Sequence, residues 1–159
     1  MAATYNWVEF NGGESTTVPT NLNMGSDNSV DLTPATYPIT AGDNSYEKWV
    51  YGDFSGSFTK INNVRLWKSA GALVSGEDIV FGSAFATVAP GTATSTEAVS
   101  SVDTADPGYT NVSIGEATTY GSLVAAGVTD YFVLQTQIDA SASPGATNTK
   151  TFTIQYDET

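Results

Sequence analysis

Residues 46–70 constrain the fold more than any other stretch, because large apolar and β-branched side chains occur there at strand period on both faces. Trp49 and Tyr51 share one parity, while Tyr46, Val50 and Phe54 share the other. A strand with one wet face is apolar on one side only, so this pattern predicts a central strand, inside a sandwich or at an interface. Farther on, Val64 and Leu66 point one way and Arg65 and Trp67 the other, which predicts a half-buried strand with Trp67 beside cationic neighbours on its outer face. Phe58 and Ile61 are placed to plug the turn between the two strands.

The same texture recurs along the chain. Residues 4–10 read as a first strand, with Tyr5 and Trp7 on one parity and Val8 and Phe10 on the other, closed by Asn11-Gly12-Gly13, a turn favouring positive φ. Residues 14–27 read as a loop with at most an edge segment; 30–32 read as a short strand ended by Pro34, and 37–40 as another short extended piece. Short apolar runs at 72–74, 79–81 and 85–88 alternate with small turns, the spacing of a sandwich. Residues 91–110 form a long surface loop or a weak edge strand around 98–102, and Val112 and Ile114 then share a parity. The strongest strand signal spans 128–138, with Phe132, Leu134, Thr136 and Ile138 on one face. After a loop over 139–148, Phe152, Ile154 and Tyr156 alternate with polar residues in a last strand, 149–156. Gly, Pro, Asn and Thr interrupt the chain too often for helices, and neither an internal repeat nor a domain boundary is visible. The prediction is one all-β domain over 1–159: a single antiparallel β-sandwich, immunoglobulin-like or a related Greek key.

Composition removes whole classes of chemistry. At 159 residues the chain can bury roughly two-thirds of its unfolded surface without metals or disulfides. It contains no cysteine and no histidine. Disulfides, thiolate metal sites and nucleophiles activated by histidine are therefore excluded. Seventeen acidic against five basic residues give a formal net charge of -12, a field that repels nucleic acid and anionic membranes. The Met-Ala-Ala-Thr-Tyr start lacks the basic and apolar regions of a signal peptide, and no run approaches the ~20 apolar residues of a membrane helix. The expectation is a chain made in a cytoplasm and not exported by a classical route.

Each candidate site has a plainer competing reading. Carboxylates near one another in sequence are Glu77 with Asp78, Asp103 with Asp106, and Asp157 with Glu158; adjacent acids on a strand diverge, which argues against a catalytic pair. Gly25-Ser26-Asp27-Asn28 with Asp31, and Gly42-Asp43-Asn44, have calcium-loop composition without the spaced ligands and closing glutamate, so Asx turns are the simpler account. No metal or other cofactor is expected. Lys48, Lys60, Arg65 and Lys68 gather four of the five cations into one stretch and, with Trp67, form the candidate partner-binding surface. The plain alternative is that they neutralise carboxylates such as Glu47 and Asp53. Trp7, Trp49 and Trp67 are either a sugar-stacking platform or, more commonly for such residues in a sandwich, core. Residues 1–27 and 91–110 are either arms reaching a neighbouring subunit or ordinary loops.

At Ser45-Tyr46-Glu47-Lys48-Trp49, Phe54-Ser55-Gly56-Ser57-Phe58, Ile61-Asn62-Asn63-Val64-Arg65-Leu66-Trp67-Lys68-Ser69 and Thr151-Phe152-Thr153-Ile154-Gln155-Tyr156-Asp157-Glu158, the sequence resembles head decoration (cement, auxiliary capsid) proteins of tailed bacteriophages. That resemblance implies a non-enzymatic virion structural protein, assembled in the host cytoplasm. It would bind the major capsid protein on the capsid exterior, often as a homotrimer, and stabilise the expanded shell. A glycan-binding or host-adhesion module on a virion head or tail fibre is the alternative from another functional class.

Overall fold

A computed structural model describes residues 2–17, 22–86, 95, 110–111, 122–145 and 147–159. The described residues contain no helix and form two antiparallel sheets, an all-β sandwich. The strands in chain order are β1 (Ala3–Asn11), β2 (Glu14–Thr17), β3 (Lys48–Gly56), β4 (Ile61–Ala70), β5 (Glu77–Ala86), β6 (Thr110–Asn111), β7 (Gly127–Val128), β8 (Tyr131–Ile138) and β9 (Thr151–Glu158). The larger sheet runs β2-β1-β3-β8-β5, with β7 pairing the far end of β3; the smaller runs β6-β4-β9.

β3 is the central strand that its two-sided apolar pattern predicts, held between β1 and β8. The chain crosses between sheets after β3, β4, β5, β6 and β8, so neither sheet is built from consecutive strands alone. Gly56, at φ 91°, ends β3, and Phe58 and Ile61 pack into the core at the crossing, as their positions predict. The interior is formed by Val50, Phe54, Phe132, Leu134 and Ile79 of the larger sheet against Ile61, Val64 and Leu66 of β4. Phe152, Ile154 and Tyr156 of β9 pack on it from the side that their alternation assigns.

The edge segment allowed within residues 14–27 is β2, joined to β1 through Gly12 and Gly13, both at positive φ as the turn predicts. Other expectations need correction. Residues 30–32 are not a strand: Asp31 adopts φ 49°, which breaks extension, and Leu32 is buried instead as a plug beneath Gly25. Residues 37–40 and 72–74 are likewise irregular. The predicted strand over 128–138 is divided at Thr129-Asp130, where the Thr129 hydroxyl accepts from the Gly52 amide and thus substitutes a side chain for a ladder bond. The candidate loop 91–110, apart from Ser95 and Thr110, lies outside the described residues, as do residues 18–21 of the candidate arm, Val112, Ile114 and the Asp103–Asp106 pair.

Candidate functional site

Cross-strand register decides what the larger sheet presents on each side. Tyr5 stands opposite Phe54, Trp7 opposite Gly52 and Glu9 opposite Val50, all on the inner side of the sheet; Val8 stands opposite Tyr51 and Phe10 opposite Trp49, facing away. β8 continues the outward row with Val133 opposite Trp49, and β5 adds Val80.

The outward face carries an aromatic group centred on Tyr131. Its ring meets Tyr51, Phe10 and Trp49 edge-on, at centroid separations of 5.1, 6.1 and 6.2 Å. These four rings are half-buried, and Trp49 packs on Val80 and Val133, which with Val8 are almost completely buried although they belong to the outer side of the sheet. Val128, opposite Asp53, extends the apolar surface and is 47% exposed. Burial, together with the Asp53 carboxylate, raises the Tyr51 hydroxyl above the ordinary tyrosine pKa; burial and Tyr51 do the same to Tyr131. Both phenols are neutral at physiological pH.

Among the described residues, carboxylates and amides stand on this face. The Trp49 indole N–H donates to Glu47 Oε2 at 3.1 Å, Asp53 is half-exposed, and Asp78 stands exposed on β5 opposite Gln137. The only lysine or arginine in the strands of the larger sheet is Lys48, and it points to the interior.

Lys48 therefore corrects the expected basic surface. It is fully buried, its Nζ 2.6 Å from Glu9 Oε1 and 2.7 Å from the Ser29 carbonyl oxygen. Neither Glu47 nor Asp53 is its partner; Glu9, on the neighbouring strand, is. The signal was its parity, shared with Val50 and Phe54 rather than with Trp49. Lys60 is exposed at the start of β4, while Arg65 and Lys68 are half-buried, with Lys68 Nζ donating to the Gly71 carbonyl. The five candidates thus do not share one face. The Trp67 side chain lies outside the described residues, although its backbone pairs with Thr153. Trp7 packs edge-on to Tyr5 and Phe132 in the core, so the three tryptophans form no common platform with it. The remaining cation, Lys150, forms a second buried ion pair with Glu77.

The acidic loops serve structure. Asn28 Oδ1 accepts from Asn11 Nδ2, and the Asp31 amide donates to Glu9 Oε2. Asp43 and Asn44, with Ser26, Ile39, Thr40, Tyr46 and Ser95, line an open, mostly polar cleft of about 230 Å³. Among the described residues no group of three acidic side chains is placed to hold a metal ion. Glu77 is occupied by Lys150 and the Val74 amide, and Asp78 caps the Ile79 amide, so these adjacent acids are turned to separate tasks. Asp157 accepts from Asn63 and Glu158 from the Ala3 amide.

Comparison with protein-family models, curated proteins and solved structures returns no match to this chain.

Proposed function

We propose that this chain is a non-enzymatic virion structural protein that binds the outer surface of a bacteriophage capsid and stabilises it. The observation that carries the reading is the outward face of the larger sheet, where four aromatic rings and Val128 form an apolar patch on an otherwise acidic protein. Apolar surface grouped inside a polar rim is what a protein interface uses, whereas scattered apolar residues carry no such meaning. The resemblance of residues 45–49, 54–58, 61–69 and 151–158 to head decoration proteins supplies the setting, with the major capsid protein as partner and a homotrimer as the expected free form.

A glycan-binding role is the second reading, and the ring arrangement weighs against it. Sugar stacking needs an open aromatic face, but Phe10, Trp49 and Tyr51 crowd edge-on around Tyr131, and the Trp49 N–H is already bonded to Glu47. Co-sedimentation of the purified protein with expanded shells of its phage, with unexpanded shells as control, tests the first reading. Saturable binding to expanded shells is expected; absence of binding to either shell rejects it.

A further inference from the structure

We infer that the aromatic outer face of the larger sheet, rather than the cationic strand β4, is the surface that docks, and that its occupant is a shell-protein surface presenting an apolar centre ringed by lysine and arginine. This rests on the capsid-binding reading and specifies the chemistry of the partner.

Three observations define the occupant. The first is the apolar centre, Phe10, Trp49, Tyr51, Tyr131 and Val128, which loses water only when another apolar surface covers it. The second is the sign of its rim. Asp53, beside Val128, and the exposed Asp78 of β5 stand on this same face, and the one lysine in these strands is turned inward and neutralised by Glu9. A partner that covers the patch brings its own groups opposite these carboxylates; negative ones are repelled, neutral ones leave the carboxylates uncompensated, and positive ones pair with them. The third excludes the simplest homotypic arrangement. Two copies packed through this face about a two-fold axis would bring the same acidic rims together, so the face is unsuited to isologous pairing with itself.

The two surfaces predict different responses to charge reversal. Docking through an acidic rim onto lysine and arginine weakens as salt screens the pairs, and reversing a rim charge on this protein weakens it further. Docking through β4 would instead fail on reversal of Arg65 or Lys68.

The experiment titrates expanded shells with wild type, Val128→Lys, Tyr51→Lys, Asp78→Lys and an Arg65→Glu/Lys68→Glu double variant, each checked for an unchanged melting transition. Val128 and Asp78 are exposed, so their variants test the face even if Tyr51→Lys fails to fold. The expected result is an apparent affinity reduced by about tenfold or more for Val128→Lys and Tyr51→Lys, a smaller salt-sensitive loss for Asp78→Lys, and near wild-type binding for the β4 variant. Wild-type binding that survives the face variants but is lost in the β4 variant overturns this inference and leaves the capsid-binding reading standing. A wild type that binds no shell removes both, as does face-dependent capture of a glycan in its place. Light scattering that shows self-association abolished by Val128→Lys would assign the face to a second copy and overturn the inference as well.

Discussion

The inner face of the larger sheet is closed in two different ways at its two ends. At one end Tyr5, Trp7, Phe54 and Phe132 meet Tyr156 and the apolar residues of β4, and the rings interlock at centroid distances of 4.9 to 6.2 Å. At the other end, on the same strands and the same parity, stand Glu9, Asn11 and Lys48, with Ser45 and Thr136 beside them, all buried. The difference follows from what lies above. The aromatic end is covered by strands whose backbone groups are already paired in a ladder, so it need only offer apolar surface. The polar end is covered by residues 22–47, which form no strand, and irregular backbone brings unpaired N–H and C=O groups with it. Lys48 takes the Ser29 carbonyl, Glu9 takes the Asp31 amide, and Asn11 reaches both Asn28 and the Glu47 carbonyl. A strandless cover requires a polar floor.

The sharpest way to break this contrast is Lys48→Ala, which leaves the Glu9 carboxylate buried without its cation. The expected cost is about 3–5 kcal/mol in urea unfolding, with much of it recovered when Glu9→Leu is combined with Lys48→Met, because desolvating both charges offsets most of their attraction. A loss below about 1 kcal/mol would mean that the cover, not the ion pair, holds that end.

At the aromatic end the corresponding lesion is steric. The Tyr5 ring lies across Gly52, where an added Cβ would sit 2.8 Å from the phenol oxygen and 2.9 Å from Cζ. Gly52→Ala is expected to cost about 1–3 kcal/mol by displacing Tyr5 from the ring cluster, read as a lower urea midpoint. If the midpoint is unchanged, the ring has room to move and the packing is looser than these contacts imply.

The smallest effect is expected at a buried polar atom of the aromatic end that lacks a hydrogen bond among the described residues. The Tyr5 hydroxyl is buried and has no hydrogen-bond partner among the described residues, so Tyr5→Phe should be neutral or stabilising by up to about 1 kcal/mol. Burial, with the neighbouring Tyr156 hydroxyl adding to it, also raises the Tyr5 pKa well above the ordinary tyrosine value. Above that ordinary value, roughly pH 10, the unfolded chain loses the proton while the folded chain retains it, so stability present below pH 10 falls as pH rises toward the folded pKa. Melting temperature against pH should therefore decline above about pH 10, and less steeply in Tyr5→Phe. Equal slopes would transfer the alkaline sensitivity to Tyr51 and Tyr131, whose pKa values are also raised.

The all-β class, the central position of β3 and the inward sides of β4, β8 and β9 were all legible, because alternation at period two records which face is apolar whatever the strand pairs with. The same parity marked Glu9 and Lys48 as inward-facing beside Tyr5, Trp7, Val50 and Phe54. The charge of Lys48 placed it among the surface candidates, since a buried charge is tolerable only beside its partner and that partner, Glu9, lies 39 residues away. The proposed docking face was half legible: Trp49 and Tyr51 announced a second apolar side of β3, but Phe10 and Tyr131 join them only through the β1-β3-β8 register.

The sequence by itself determined the strand character of the chain, the apolar sides of its principal strands, its acidity and the absence of cysteine and histidine chemistry. Only the tertiary structure decided which strands are neighbours, that residues 22–47 cover a polar floor without forming strands, and that the cations divide between two buried ion pairs and β4 with its flanking turn. Side-chain period is a local property of a strand, whereas strand order, register and ion pairing depend on contacts between residues far apart in the chain, which no local pattern encodes.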